Sequence, residues 1–171
     1  MKTLLARIGM AAILILSWFG TSCKPTATPS RPLGDMKIGF FKVEGDIGAD
    51  VASALEYELK VQGADVVAKP NTPSIDLPGA NTAIEVSCRW SHSAQTRELQ
   101  LLSATLGVNS SLSGIGKKRM FIENADILEP YAARSKNELP SVRLANTAAH
   151  RLVLQLVKAT GRSPRPVPSS S

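Results

Sequence analysis

Residues 37–67 read KIGFFKVEGDIGADVASALEYELKVQGADVV, and the reading of this stretch decides the fold. With Met36 in front, the segment 36–43 is short, apolar and aromatic and stops at Glu44-Gly45, the pattern of a first strand. Asp46 follows in a capping position. Ile47, Val51, Leu55 and Leu59 then recur every fourth residue, which stacks them along one side of a helix. Glu56, Glu58 and Lys60 fall elsewhere on that helix, and Gly63 stands where a helix end favours a residue that accepts a positive φ. Residues 64–69, ADVVAK, favour a strand and stop at Pro70. The unit is therefore β-α-β.

Working outward toward the C-terminus, residues 70–82 carry prolines 70, 73 and 78 with Asn71, Gly79 and Asn81, a loop composition. From Ala83 the alternation is strict. Ile84, Val86, Cys88, Trp90 and His92 share one face, and Glu85, Ser87, Arg89 and Ser91 the other, which predicts a half-buried antiparallel strand. Residues 97–108, RELQLLSATLGV, can return beside it as a strand, although Leu99, Leu102 and Leu106 also fit a helix; the strand is preferred. Residues 109–118 read as a hairpin loop and 119–124, RMFIEN, as the strand leaving it. Pro140 can open a last helix, with Leu144, Ala148, Leu152 and Ala159 near one stripe, before Gly161 ends it. The order β-α-β, two or three strands, α predicts an α+β two-layer domain: a mostly antiparallel sheet with two helices on one face. No internal repeat at a fixed period is visible.

The ends of the chain have a different character. In the first 23 residues, MKTLLARIGMAAILILSWFGTSC, Lys2 and Arg7 precede an uncharged run from Ile8 to Phe19, followed by small or polar Gly20, Thr21 and Ser22. This is the three-part order of a secretory signal. The run falls short of the roughly 20 apolar residues that a spanning helix needs, which favours a cleaved signal over a permanent anchor. Residues 1–22 are read as the signal peptide, 23–35 as a flexible Pro-containing tether, 36–161 as the folded domain and 162–171 as a disordered Pro/Ser tail.

Gly20-Thr21-Ser22-Cys23 resembles the lipobox of bacterial lipoproteins, whose Cys receives a diacylglyceryl group and becomes the mature N-terminus. Gly20 stands where that family carries Leu or another aliphatic residue. The resemblance implies a lipid anchor on Cys23, whose acyl chains together hold a protein stably at a membrane. Lys24 stands where an Asp would resemble an inner-membrane retention signal, so the resemblance implies the periplasmic face of the outer membrane.

The full chain has 20 Lys+Arg and 14 Asp+Glu, a net of +6 that invites a nucleic-acid reading. Residues 36–161 hold 14 basic and 13 acidic groups, so the domain is nearly neutral and the excess belongs to the ends. Flexible basic ends aid solubility or touch anionic headgroups, and no nucleic-acid partner is expected. With Cys23 lipidated, Cys88 has no intramolecular disulfide partner and is read as a small buried hydrophobe.

The chain contains no Gly-x-Ser-x-Gly elbow and no Ser-x-x-Lys. Gly114-Ile115-Gly116-Lys117 is a broken phosphate loop, because residue 111 is Ser and Lys118 occupies the Ser/Thr position; a flexible basic hairpin tip is the better reading. Cys88 and His92, four residues apart on a strand, stand about 13 Å apart and cannot share a metal; a contact between Cys88 and His150 stays open. No catalytic residues, metal or cofactor are expected. The contact candidates are the basic trio Lys117, Lys118 and Arg119, for an anionic glycan or lipid, and Trp90.

The stretch from Lys37 to Val67 also resembles the opening of envelope lipoproteins of the curli-secretion and penicillin-binding-protein activator types, and the whole order is similar to the lipopolysaccharide-assembly lipoproteins. No functional motif is shared, so no residue role transfers. The resemblance implies a non-enzymatic accessory lipoprotein that binds a protein partner in envelope assembly or secretion. The alternative is a binder of lipopolysaccharide or peptidoglycan.

Overall fold

A computed structural model describes residues 31–72, 77–92, 100–112, 115–126 and 139–166. The expected signal peptide at residues 1–22, Cys23, Lys24 and the last five residues lie outside these. Seven elements follow in order: β1 (Lys37–Gly45), α1 (Gly48–Val61), β2 (Asp65–Val66), β3 (Thr82–His92), β4 (Gln100–Ser110), β5 (Arg119–Asp126) and α2 (Pro140–Ala159). They form a five-stranded sheet in the order β2-β1-β3-β4-β5, with the helices packed on one face and against each other. This is an α+β two-layer domain.

The expected mostly antiparallel sheet holds for β3-β4-β5, and β1 corrects it. β1 runs parallel to both β2 and β3, because a β-α-β crossover returns the chain in the same direction and the loop before Thr82 returns it once more. β2 is reduced from the expected 64–69 to the two residues facing Lys37 and Ile38. β4 is a strand. Leu102 and Leu106 fit both readings because four is close to one helical turn and is also an even number; Ala104 and Val108, buried on the same face, settle it.

Strict alternation from Ile38 would point Phe40 and Lys42 into the core. A bulge prevents this: Ile38 is opposite Thr82 but Phe40 is opposite Ala83, so Ile38, Phe41 and Val43 are buried and Lys42 is exposed. Gly39 sits at the bulge, where a Cβ would come within 2.4 Å of Ala80 Cβ.

Helix α1 buries Val51, Leu55 and Leu59 as its spacing predicts, and Gly63 ends it at φ 95°. Asp46 does not cap it. Ile47 is the N-cap with no side-chain cap bond, and Asp46 Oδ2 instead accepts the Trp90 backbone N–H at 3.1 Å. Helix α2 starts on Pro140 and buries Leu144, Ala148, Leu152 and Leu156, while Ala159 is only partly buried.

The packed structure extends beyond 36–161 at both ends. Leu33 is buried in the core, and its N–H donates to Gln62 O at 3.0 Å. Arg162 donates to Pro32 O and to Asp35 Oδ2, at 3.0 and 2.6 Å. The buried Gln62 amide grips one residue of the tail from both sides, accepting from Arg165 N at 2.8 Å and donating to Arg165 O at 3.0 Å. Residues 31–35 and 162–165 are thus docked, where their composition alone suggests tether and tail.

Candidate functional site: the outer face of the sheet

Because both helices cover the same face, the other face of the sheet meets solvent. β3 contributes Glu85, Ser87 and Arg89 to it, as the alternation predicts. β5 contributes Met120 and Ile122, which are 63% and 62% exposed, and β4 adds Leu101 at 36%. A cleft of 530 Å³ runs across this face between Lys42, Glu85, Thr105, Lys118 and Met120. Gly107 lies between Glu85 and Met120 in the strand register and leaves the floor of the cleft without a side chain.

The cleft is electrically mixed. Lys42 Nζ lies 2.6 Å from Glu44 Oε1. The hydrogen bond and charge of Glu44 hold the lysine above its ordinary range, with a smaller push from Glu85. Lys117, Lys118 and Arg119 are all exposed, and among the described residues none of them joins an ion pair. Lys118 adopts a left-handed backbone, φ 59°, just before β5. The loop carrying these residues is not wholly loose, since Ile115 is buried in the core beside Leu112.

The structure separates Trp90 from this trio. Arg119 pairs with Val108 and Val108 with Ile84, so Trp90 lies six residues further along β3, about 20 Å at ~3.3 Å per residue. It is also on the helix-covered face, packed against the core. Trp90 and the basic trio therefore belong to different regions.

Cys88 is buried, and its Sγ donates to Asp46 O at 2.9 Å and Glu44 O at 3.3 Å. Burial, reinforced by the Asp46 charge, pushes this thiol above its ordinary pKa, the opposite of what a nucleophile needs. His150 is engaged elsewhere. Its Nδ1 lies 3.1 Å from Oε2 of the buried Glu58, so the pair ties α2 to α1. Among the described residues no group of three His, Cys, Asp or Glu side chains could hold a metal ion.

Sequence reasoning found Lys118 but missed Lys42, Gly107 and Met120 as its neighbours. The alternation in RMFIEN already places Met120 and Ile122 on one face; that this face is the uncovered one depends on where the helices pack.

No protein-family model matches the chain, and no curated protein matches its sequence. Among solved structures it is similar to a protein named "putative lipoprotein" from Caulobacter crescentus CB15, at 17% identity over 80% of this chain and 98% of that one, with a TM-score of 0.45. It is also similar to a minor lipoprotein from Acinetobacter baumannii, at 14% identity over 76% and 97% of the two chains, with a TM-score of 0.31. The functional reading of this chain rests on its own residues.

Proposed function

We propose that this chain is a non-enzymatic accessory lipoprotein, anchored through Cys23 to the periplasmic face of the outer membrane, whose uncovered sheet face binds a protein partner in cell-envelope assembly or secretion. The observation that carries the binding role is the combination of the exposed neighbours Met120 and Ile122 on β5 with a charged cleft, lined in part by Met120, on the side of the sheet that the helices leave open. Clustered exposed apolar side chains next to charged groups are the composition of an interaction surface.

The test is crosslinked pull-down from membranes with a photoreactive residue at position 122. The proposal expects one specific envelope protein to be captured, and its loss when Met120→Glu is introduced. Recovery of no specific protein, or recovery unchanged by Met120→Glu, contradicts it.

A second reading, binding of lipopolysaccharide or peptidoglycan, is favoured by the exposure of the consecutive Lys117, Lys118 and Arg119, of which Lys118 lines the cleft. Reversing all three charges should abolish glycan binding. Unchanged binding removes that reading.

A further inference from the structure

The near-neutral charge of the domain conceals a separation along its length. β1 and β3 start, β4 ends and β5 starts at one end of the sheet, since Ile38 pairs with Thr82, Thr82 with Ser110 and Val108 with Arg119. Helices α1 and α2 also terminate there, as the bonds from Leu33 to Gln62 and from Arg162 to Pro32 require. Arg31, Lys117, Lys118, Arg119, Lys158 and Arg162 therefore converge on one pole from three separate parts of the chain. Among the described residues Asp35 and Asp65 lie beside them, and Asp35 is already paired with Arg162. Among the described residues the far end, where β1 finishes and α1 begins, carries Glu44, Asp46, Asp50 and Asp126 against Arg89 and Arg143.

Helix ends explain only part of this. Lys158 lies in the last turn of α2, where a cation complements the helix dipole. Lys117 and Lys118 precede β5, Arg119 begins it, and none of them has such a role. The second observation is covalent: Arg31 belongs to the same pole, and Cys23 is eight residues before it. Eight residues span at most about 28 Å when fully extended, so an anchored Cys23 holds this pole close to the bilayer. The eleven residues of β3 place the acidic end about 35 Å farther away at ~3.3 Å per residue.

We infer that this basic pole is a docking surface for the anionic phospholipid surface that carries the anchor. The inference rests on the anchoring of Cys23 proposed above. Docking fixes the domain upright, with the trio and Arg162 among the headgroups and the acidic end directed away from the membrane. Each basic residue brought to an anionic surface strengthens association roughly fivefold, and only within about 10 Å at moderate salt, so the effect requires the pole itself to reach the headgroups.

The experiment uses the lipidated chain reconstituted in vesicles of phosphatidylcholine alone or mixed with phosphatidylglycerol, probed with a membrane-impermeant amine reagent. Labelling of Lys117, Lys118 and Lys158 should fall several-fold in the anionic vesicles and recover at high salt. Lys69, exposed beyond β2 and away from this pole, should label equally in both. The variant K117E/K118E/R119E should lose the contrast at Lys158. Equal labelling at low salt in the two vesicles, or a contrast that survives charge reversal, overturns the docking inference. Failure of the chain to remain with neutral vesicles refutes the anchor instead, which keeps the two claims distinguishable.

Discussion

Replacing Gln62 by Ala tests whether the C-terminal segment is part of the fold. The Gln62 amide is buried and makes two hydrogen bonds to the backbone of Arg165, at 2.8 and 3.0 Å. A net contribution of ~0.5–1.5 kcal/mol per hydrogen bond gives a loss of about 1–3 kcal/mol. Its own backbone bonds, to Glu58 O and from Leu33 N, survive the substitution. In a chain ending at Gly161 the amide has no tail to hold and returns to water, so Gln62→Ala should then cost less than about 0.5 kcal/mol. The difference between the two backgrounds is the coupling free energy, expected at about 0.5–3 kcal/mol. Urea denaturation of the four chains measures it, and thermal midpoints should differ by roughly 3–4 °C per kcal/mol at this size. Equal costs in both backgrounds would refute the docking of the tail.

Four further outcomes follow from burial and geometry. Ile84→Ala, on the covered face, should cost about 2–5 kcal/mol, whereas Ile122→Ala on the open face should stay within about 0.5 kcal/mol; similar losses in denaturation experiments would contradict the assignment of faces. Gly39→Val should destabilise by about 1–3 kcal/mol through overpacking against Ala80, and Gly39→Ala should be better tolerated in an Ala80→Gly background; the order of their urea midpoints decides this. Cys88 should resist a thiol reagent at pH 8 until the protein is unfolded, because burial disfavours its thiolate. Since its pKa is raised in the folded state, Cys88 stabilises below the ordinary thiol range, and that part of stability should fall as pH rises past it. A Cys88→Ala variant should lack this component, which a pH series of denaturation curves measures.

The parts of the fold that were legible are those whose information is local. The four-residue spacing of Val51, Leu55 and Leu59 and the alternation from Ile84 to Trp90 each repeat a burial pattern within one element. Leu102 and Leu106 were ambiguous because their spacing satisfies two periods. The bulge at Gly39 depends on Ala80, and the docked tail on Gln62, 103 residues before Arg165. Neither contact has a local signature. The same holds for the site: Lys117, Lys118 and Arg119 stand out as a run, but their proximity to Arg31 and Arg162 exists only once the strands are ordered. Trp90 is a contact candidate only if exposed, and it packs against the core instead.

Location is the claim on which the rest depends, and the intact mass of the mature protein extracted from cell membranes tests it most directly. The account predicts a chain that begins at Cys23 and carries the added mass of a diacylglyceryl group, with both cleavage and added mass lost in Cys23→Ser. A wild-type chain that retains residues 1–22, or one that begins at Cys23 without lipid, would contradict it.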